Sequence, residues 1–171
     1  VFWTIDREGA EAAPAPAPSG SPIISANCGL PNFQAVALAL INQYRASGAT
    51  CGSRGHFNAA AALAWNTPLI TAATRHSQDM VTRNFFSHQG SDGSNAGQRM
   101  TAAGYTWSAW GENIAAGQPT VKSVVDGWMA SPGHCANIMN ASFRQLGLAC
   151  VKGTSANPYK TYWTMTLGAS R

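Results

Sequence analysis

Charge is what this chain has least of. Lys, Arg, Asp and Glu make up 11% of its 171 residues, well below the quarter or so of an ordinary globular domain. The net charge of +4 is scattered, with no run of Lys and Arg, so a nucleic-acid partner is excluded for want of a phosphate-binding stripe. No stretch approaches the roughly 18 apolar residues of a membrane span, and the chain does not read as membrane-spanning. No CxxC pair is present, which argues against a zinc ribbon. HExxH, GxSxG, the P-loop and GxGxxG are all absent. The chain opens at Val1 without Met, basic n-region or apolar run, as a secreted chain does once its signal peptide has gone.

What remains is a chain of 45% apolar residues with many Ala, Gly, Ser, Thr and Asn. It is long enough for one domain with a real core. Neutral polar groups solvating the surface suit a secreted, extracellular or periplasmic setting. The even set Cys28, Cys51, Cys135 and Cys150 points to two disulfides and an oxidising compartment. Of the three pairings, sequence proximity favours Cys28–Cys51, bracketing the first helix, and Cys135–Cys150. Closing a loop of about 15 residues stabilises by roughly 3 kcal/mol in the chain-entropy model.

Residues 1–21 form a tail apart from a domain at 22–171. Val1–Ile5 (VFWTI) has strand-forming side chains, and Ala13–Pro18 (APAPAP) favours a semi-rigid polyproline II spacer. Val1–Ile5 therefore reads as a strand that adds either to its own domain or to a neighbouring copy. Within the domain, Asn32 caps a helix carrying Phe33, Val36, Ala37, Leu40, Ile41 and Tyr44 on one stripe, stopped at Gly48. Residues 49–64 read as loop. Thr67 and Pro68 open a second helix with Leu69, Ala72, Ala73, His76 and Met80 facing inward. Ser94 caps a short third helix, Trp110–Ala115 is a strand, and Pro119 opens a fourth helix that ends before Pro132. Cys135–Asn140 follows as a short turn. Gln145–Lys152 and Lys160–Leu167 close as a β-hairpin, and strands covered by helices on both sides fit the pattern.

Three groups carry candidate chemistry: His88 in FFSHQG, Glu112 in GENIAAG and His134 in SPGH. Two imidazoles and a carboxylate can hold zinc or another divalent metal with an open position, or do acid–base work near neutral pH. The bland reading makes Glu112 a cap of backbone amides and the histidines loop residues. His76 has its own bland reading as a hydrogen-bonded core side chain.

HSQDM at 76–80, FFSH at 85–88, GENIAAG at 111–117, GWMASPGHCANIMN at 127–140 and YWTMTLG at 162–168 occur in order. Together they resemble a bacterial-type member of the CAP superfamily (cysteine-rich secretory proteins, antigen 5, pathogenesis-related 1). The resemblance covers roughly Pro31–Gly168 and implies an α/β, three-layer α-β-α sandwich with a central cleft. The family's cleft carries two His and two Glu in eukaryotic members. Matched residue by residue, its first His falls on His88 and its first Glu on Glu112. Its second Glu falls on Ser131 and its second His on Tyr162, so one carboxylate is missing. His134 belongs to the bacterial pattern and fills that space, and His76 recurs in it too. The resemblance thus implies a ligand cleft of His76, His88, Glu112, Ser131, His134 and Tyr162, with His88, Glu112 and His134 as the metal set.

Function stays open among three classes. A binding module for a lipid-like or glycan ligand would use aromatic walls such as Trp107, Trp110 and Trp163. A subunit of an extracellular polymer would self-associate through Val1–Ile5. A metal-assisted or Ser/His hydrolase would draw on Ser87 beside His88, or Ser131 three residues before His134, though sequence proximity alone makes no triad.

Overall fold

Alternation along the last strand sets up the whole molecule. In the computed structural model, which describes residues 26–171 and the strand Trp3–Arg7 ahead of them, Thr161–Ser170 sends Trp163, Met165 and Leu167 into one core. Tyr162, Thr164 and Thr166 go to the opposite face, where Thr164 meets Ser77 and Thr166 donates to the Leu69 carbonyl. A sheet buried on both faces needs a helix layer on each.

Seven strands and five helices are described, numbered in chain order. They are β1 (Trp3–Arg7), α1 (Phe33–Ser47), β2 (Ala49–Thr50), β3 (His56–Phe57), β4 (Ala64–Trp65), α2 (Thr67–Arg83), α3 (Ala96–Ala102), β5 (Trp107–Ala116), α4 (Val121–Met129), α5 (Pro132–Met139), β6 (Gln145–Lys152) and β7 (Thr161–Ser170). The main sheet runs β1-β5-β7-β6-β4, and β2 and β3 form a separate small ladder. α2 and α3 cover one face; α1, α4 and α5 cover the other. This is the three-layer α-β-α sandwich. α2 lies so close on β6 that a Cβ at Gly147 would run into the Leu69–Ile70 backbone, so no larger residue fits there.

Several boundaries differ from the expected ones because side chains one residue away do the capping. Asn66, not Thr67, accepts from the Leu69 amide at 3.1 Å. Asn95, not Ser94, forms a reciprocal capping box with Gln98. Thr120 and Ser123 do the same for α4, in place of Pro119. Asn32 is left-handed and makes no side-chain cap. The turn expected at Cys135–Asn140 is part of helix α5: Pro132 ends one helix and, with φ preset, starts the next. The expected loop 49–64 contains β2 and β3 and runs into β4, each only two residues long and too short for a periodic signal; β4 pairs parallel with β6.

The disulfides are Cys28–Cys150 and Cys51–Cys135, which corrects the expected Cys28–Cys51 and Cys135–Cys150. The chain entering the domain runs alongside β6, where the Cys28 amide donates to the Cys150 carbonyl at 3.0 Å and Asn27 bridges Cys150. Cys51 precedes the turn Gly52–Arg54, which packs against Pro132 at the start of α5 and so meets Cys135. Proximity in space overrode proximity in sequence. The loops closed are long, with separations of 122 and 84 residues, and each is worth about 4–5 kcal/mol in the chain-entropy model.

The N-terminal strand lands on its own domain. β1 pairs antiparallel with β5, Trp3 opposite Ile114 and Arg7 opposite Trp110. Val1, Phe2, the spacer Ala13–Pro18 and the boundary at 21/22 lie outside the described residues.

Candidate functional site

β5 is the element from which the site is built. Its alternation places Ile114 and Ala116 against Met80 and Val81 of α2, and Asn113 against α5, where its amide donates to the His134 carbonyl at 3.1 Å. Glu112 shares the α2–α3 face with Ile114 and is 1% exposed.

Three side chains converge on that carboxylate. His88 Nδ1 donates to Oε1 at 2.8 Å, and Arg99 donates to Oε2 at 2.6 Å. His76 Nε2 stands 4.0 Å from Oε1. Burial alone would push the Glu112 carboxyl up; Arg99 above all, then His76 and His88, outweigh it and hold the group at about 2. Glu112 is therefore ionised at neutral pH, and His88 must carry its proton on Nδ1 to satisfy it. His76 donates from Nε2 to the Ser87 carbonyl at 2.9 Å, leaving its buried Nδ1 unpaired. Burial pushes the His76 pKa down, with Glu112 opposing.

The loop that presents His88 is tied at several points. Asp79 of α2 accepts from the Ser91 amide at 2.8 Å and its hydroxyl at 2.6 Å. Arg99 reaches back to the Ser94 carbonyl at 2.8 Å. One guanidinium thus fixes both the loop and the carboxylate. Sequence reasoning missed Arg99. The signal was present: with Ala96, Met100 and Ala103 as the apolar stripe of α3, position 99 falls on the inward side.

The other expected site residues make contacts of their own. His134 sits in the first turn of α5, and its Nδ1 meets Ser131 Oγ at 2.8 Å. Ser131 is the residue just before that helix and makes no side-chain cap there. Tyr162 shares the Glu112 face but packs against the Met80–Ile114 cluster, four residues along β7 from the partner of Glu112 and so about 13 Å away. Ser87 Oγ accepts from the Gln89 amide. Trp163 is a core side chain stacked on Phe33, not a cleft wall. Trp110 packs edge-on to Trp107 beneath α3, and the Trp107 indole donates to the Gly97 carbonyl.

A divalent ion does not fit this arrangement. Both Glu112 oxygens are engaged, one by a cation. Among the described residues no set of three His, Cys, Asp or Glu stands where it could hold a metal.

The family profile described as CAP, cysteine-rich secretory protein family, matches residues 38–167. The chain belongs to that family. This CAP domain is 39% identical over 87 residues to the uncharacterized protein YkwD of Bacillus subtilis, a match covering 51% of this chain and 34% of YkwD. The matched region spans about a third or less of the curated relatives. Among solved structures, an extracellular SCP-domain protein of Bacillus anthracis superposes with a TM-score of 0.61 at 24% identity, covering 88% of this chain and 45% of that one. An outer surface protein of Borrelia burgdorferi gives 0.63 at 16% identity, covering 80% and 89%. At these identities the structures establish the fold alone. Among the described residues no helix is long and apolar enough to cross a membrane.

Proposed function

We propose that this CAP-domain protein is secreted and binds a small, hydroxyl-rich ligand, a glycan in preference to a lipid, at the cluster of His76, His88, Arg99 and Glu112. One observation carries the reading: a fully buried carboxylate is kept ionised by an arginine and a histidine that each retain a partly accessible edge. Desolvating such charges costs several kcal/mol per ion, and an apolar replacement is often as stable. A perturbed ionic cluster of this kind is a functional-site candidate. The hydrogen-bonding charges of the cluster suit hydroxyl groups, which favours a glycan. A lipid would need open aromatic or aliphatic walls; Trp163, Tyr162 and Trp110 are spent on the core, and Trp107, Phe85 and Phe86 are half-buried.

The metal reading requires Arg99 to leave Glu112 first. The hydrolase reading would rest on one Ser–His pair, Ser131 Oγ at 2.8 Å from His134 Nδ1, because Ser87 Oγ accepts from the Gln89 amide. Self-association through Val1–Ile5 is not carried as a second reading, because the strand Trp3–Arg7 pairs with β5 of its own domain.

Calorimetry separates these ideas. Full-length protein titrated with N-acetylglucosamine oligomers should give heat that His88→Ala abolishes. Binding of palmitate alone would overturn the glycan preference. Zinc binding that depends on His88 would restore the metal reading. No heat with any of the three would remove the cluster as a ligand site.

A further inference from the structure

The two disulfides stand in unequal surroundings. Cys51 and Cys135 are 1% and 0% exposed and belong to the core that α1 covers. A Cβ on Gly52, beside Cys51, would come within 2.9 Å of Pro132, so the chain closes tightly over that bond. Cys28 sits at the margin of the sheet instead, half-buried and next to the exposed Gly29. A thiolate has to reach a sulfur to open a disulfide, so access favours the Cys28 end.

The backbone at Cys28 is strained as well. Its φ of 53° lies in the left-handed region, and Gly29 follows at 71°. Glycine enters that region freely, whereas a residue with a side chain persists there only where its surroundings over-determine it. Three ties to β6 do so here. They are the bond to Cys150, the Cys28 amide on the Cys150 carbonyl at 3.0 Å, and the Cys150 amide on the Ala26 carbonyl at 2.8 Å. The same ties cover one end of the outer edge of β6. β4 covers the other end, where the Asn66 amide donates to the Leu146 carbonyl at 3.1 Å.

We propose that Cys28–Cys150 is a redox-sensitive clasp: a dithiol reductant opens it first and unpins residues 26–28 from β6, while Cys51–Cys135 keeps the domain folded. Strain and access are what make a disulfide labile, and this bond has both. In the exchange, one thiolate of the dithiol bonds to one cysteine sulfur and expels the other as a thiolate. The second thiol of the reagent then closes the reagent's own disulfide and releases the first cysteine. Two electrons and two protons pass to the protein, and the dithiol is oxidised. Once the clasp is open, the Cys150 amide and carbonyl lose their strand partner and become an unpaired sheet edge. The Cys51–Cys135 bond still ties the turn after α1 to α5, so the helix layer on that face stays in place.

Stepwise reduction of the full chain under native conditions tests this. Protein treated with increasing dithiothreitol is quenched with iodoacetamide, and the labelled cysteines are mapped by mass spectrometry. Cys28 and Cys150 should be labelled about ten-fold faster than Cys51 and Cys135. Hydrogen exchange then reads the unpinning, without alkylation, at the dithiothreitol concentration that opens only the first bond. There the Cys28 and Cys150 amides should exchange faster than in the oxidised protein, while the amides of β7 keep their protection. Labelling of Cys51 and Cys135 first, or of all four cysteines together, overturns the proposal. Opening of Cys28–Cys150 with both of its amides still protected overturns the clasp, since residues 26–28 then stay on β6 without it. Loss of protection in β7 at the same step overturns the claim that Cys51–Cys135 holds the domain.

Discussion

Two arginines in this domain are deeply placed, one in each helix layer, and they are satisfied in opposite ways. Arg45 of α1 is 0% exposed and donates only to neutral carbonyls, those of Ala61, Ile138, Asn140 and Phe143. Burial, and then Arg144, pushes its pKa down to about 10. Arg99 of α3 keeps an accessible edge and spends one end of its fork on a carboxylate. The first arginine clamps the backbone around α5 and the Phe143 turn. The second neutralises a charge that the apolar layer would never tolerate. Backbone carbonyls are gathered on the α1–α4–α5 face, and buried charge is gathered on the α2–α3 face.

The largest expected effect comes from breaking the clamp. Arg45→Met leaves the buried carbonyls of Ile138 and Phe143 and the half-buried ones of Ala61 and Asn140 without that donor, a buried one costing about 1–3 kcal/mol when unsatisfied. The variant should lose about 4 kcal/mol or more of stability in denaturant unfolding, with no dependence on pH between about 4 and 8 because no group near it titrates there. Arg99→Ala should cost about 3–5 kcal/mol, since it strands a buried carboxylate. Its signature is rescue: adding Glu112→Gln removes the uncompensated charge, so the double variant should be more stable than Arg99→Ala alone. A double variant that loses the sum of the two single losses would show that Arg99 is not there to neutralise the Glu112 charge.

Acid sharpens the same contrast. Glu112 is held at about 2 against an ordinary carboxyl value of 4.5, so the unfolded chain binds a proton there before the folded one does. The stability tied to this group is complete above about pH 4.5 and lost as pH falls toward 2, on the order of 3 kcal/mol in all. His76 adds in the same direction. Its lowered pKa means that the unfolded chain protonates first below about pH 6.5, so stability begins to fall there. Unfolding midpoints measured from about pH 8 to about pH 3 should decline in these two stages. Glu112→Gln should flatten the lower one. The smallest effect is expected at Thr166→Val, which gives up the 2.9 Å bond to the Leu69 carbonyl and should cost about 1 kcal/mol.

The sequence was most readable where periodicity and motif order agree. The stripe of α2, the alternation of β6 and β7 and the inward placement of His76 follow from spacing alone. The motif run from His76 to Gly168 supplied the sandwich. His88 and Glu112, which the structure joins by a 2.8 Å hydrogen bond, were singled out because glycine-flanked polar residues beside a strand are few in a chain with so little charge. What could not be read depends on which segments meet in space. The disulfide partners follow from residues 26–28 lying along β6, which no local pattern records. Arg99 was overlooked because an arginine in a helix looks like a solvated residue until the opposite strand places a carboxylate over it. His134 was placed in a turn because Pro132 reads as a stop; it also serves as a helix start, and that turned the imidazole toward Ser131.

We propose the carboxylate cluster between α2, α3 and β5 as the ligand site. The most direct measurement is NMR of the histidine ring nitrogens in full-length protein titrated with N-acetylglucosamine oligomers. His88 should shift in a saturable way together with backbone amides of loop 88–95 and α3, while amides of α1 and α4 on the opposite face stay still. Saturable shifts confined to the α1–α4–α5 face, or none around His88 and Arg99 at saturating ligand, would contradict the account.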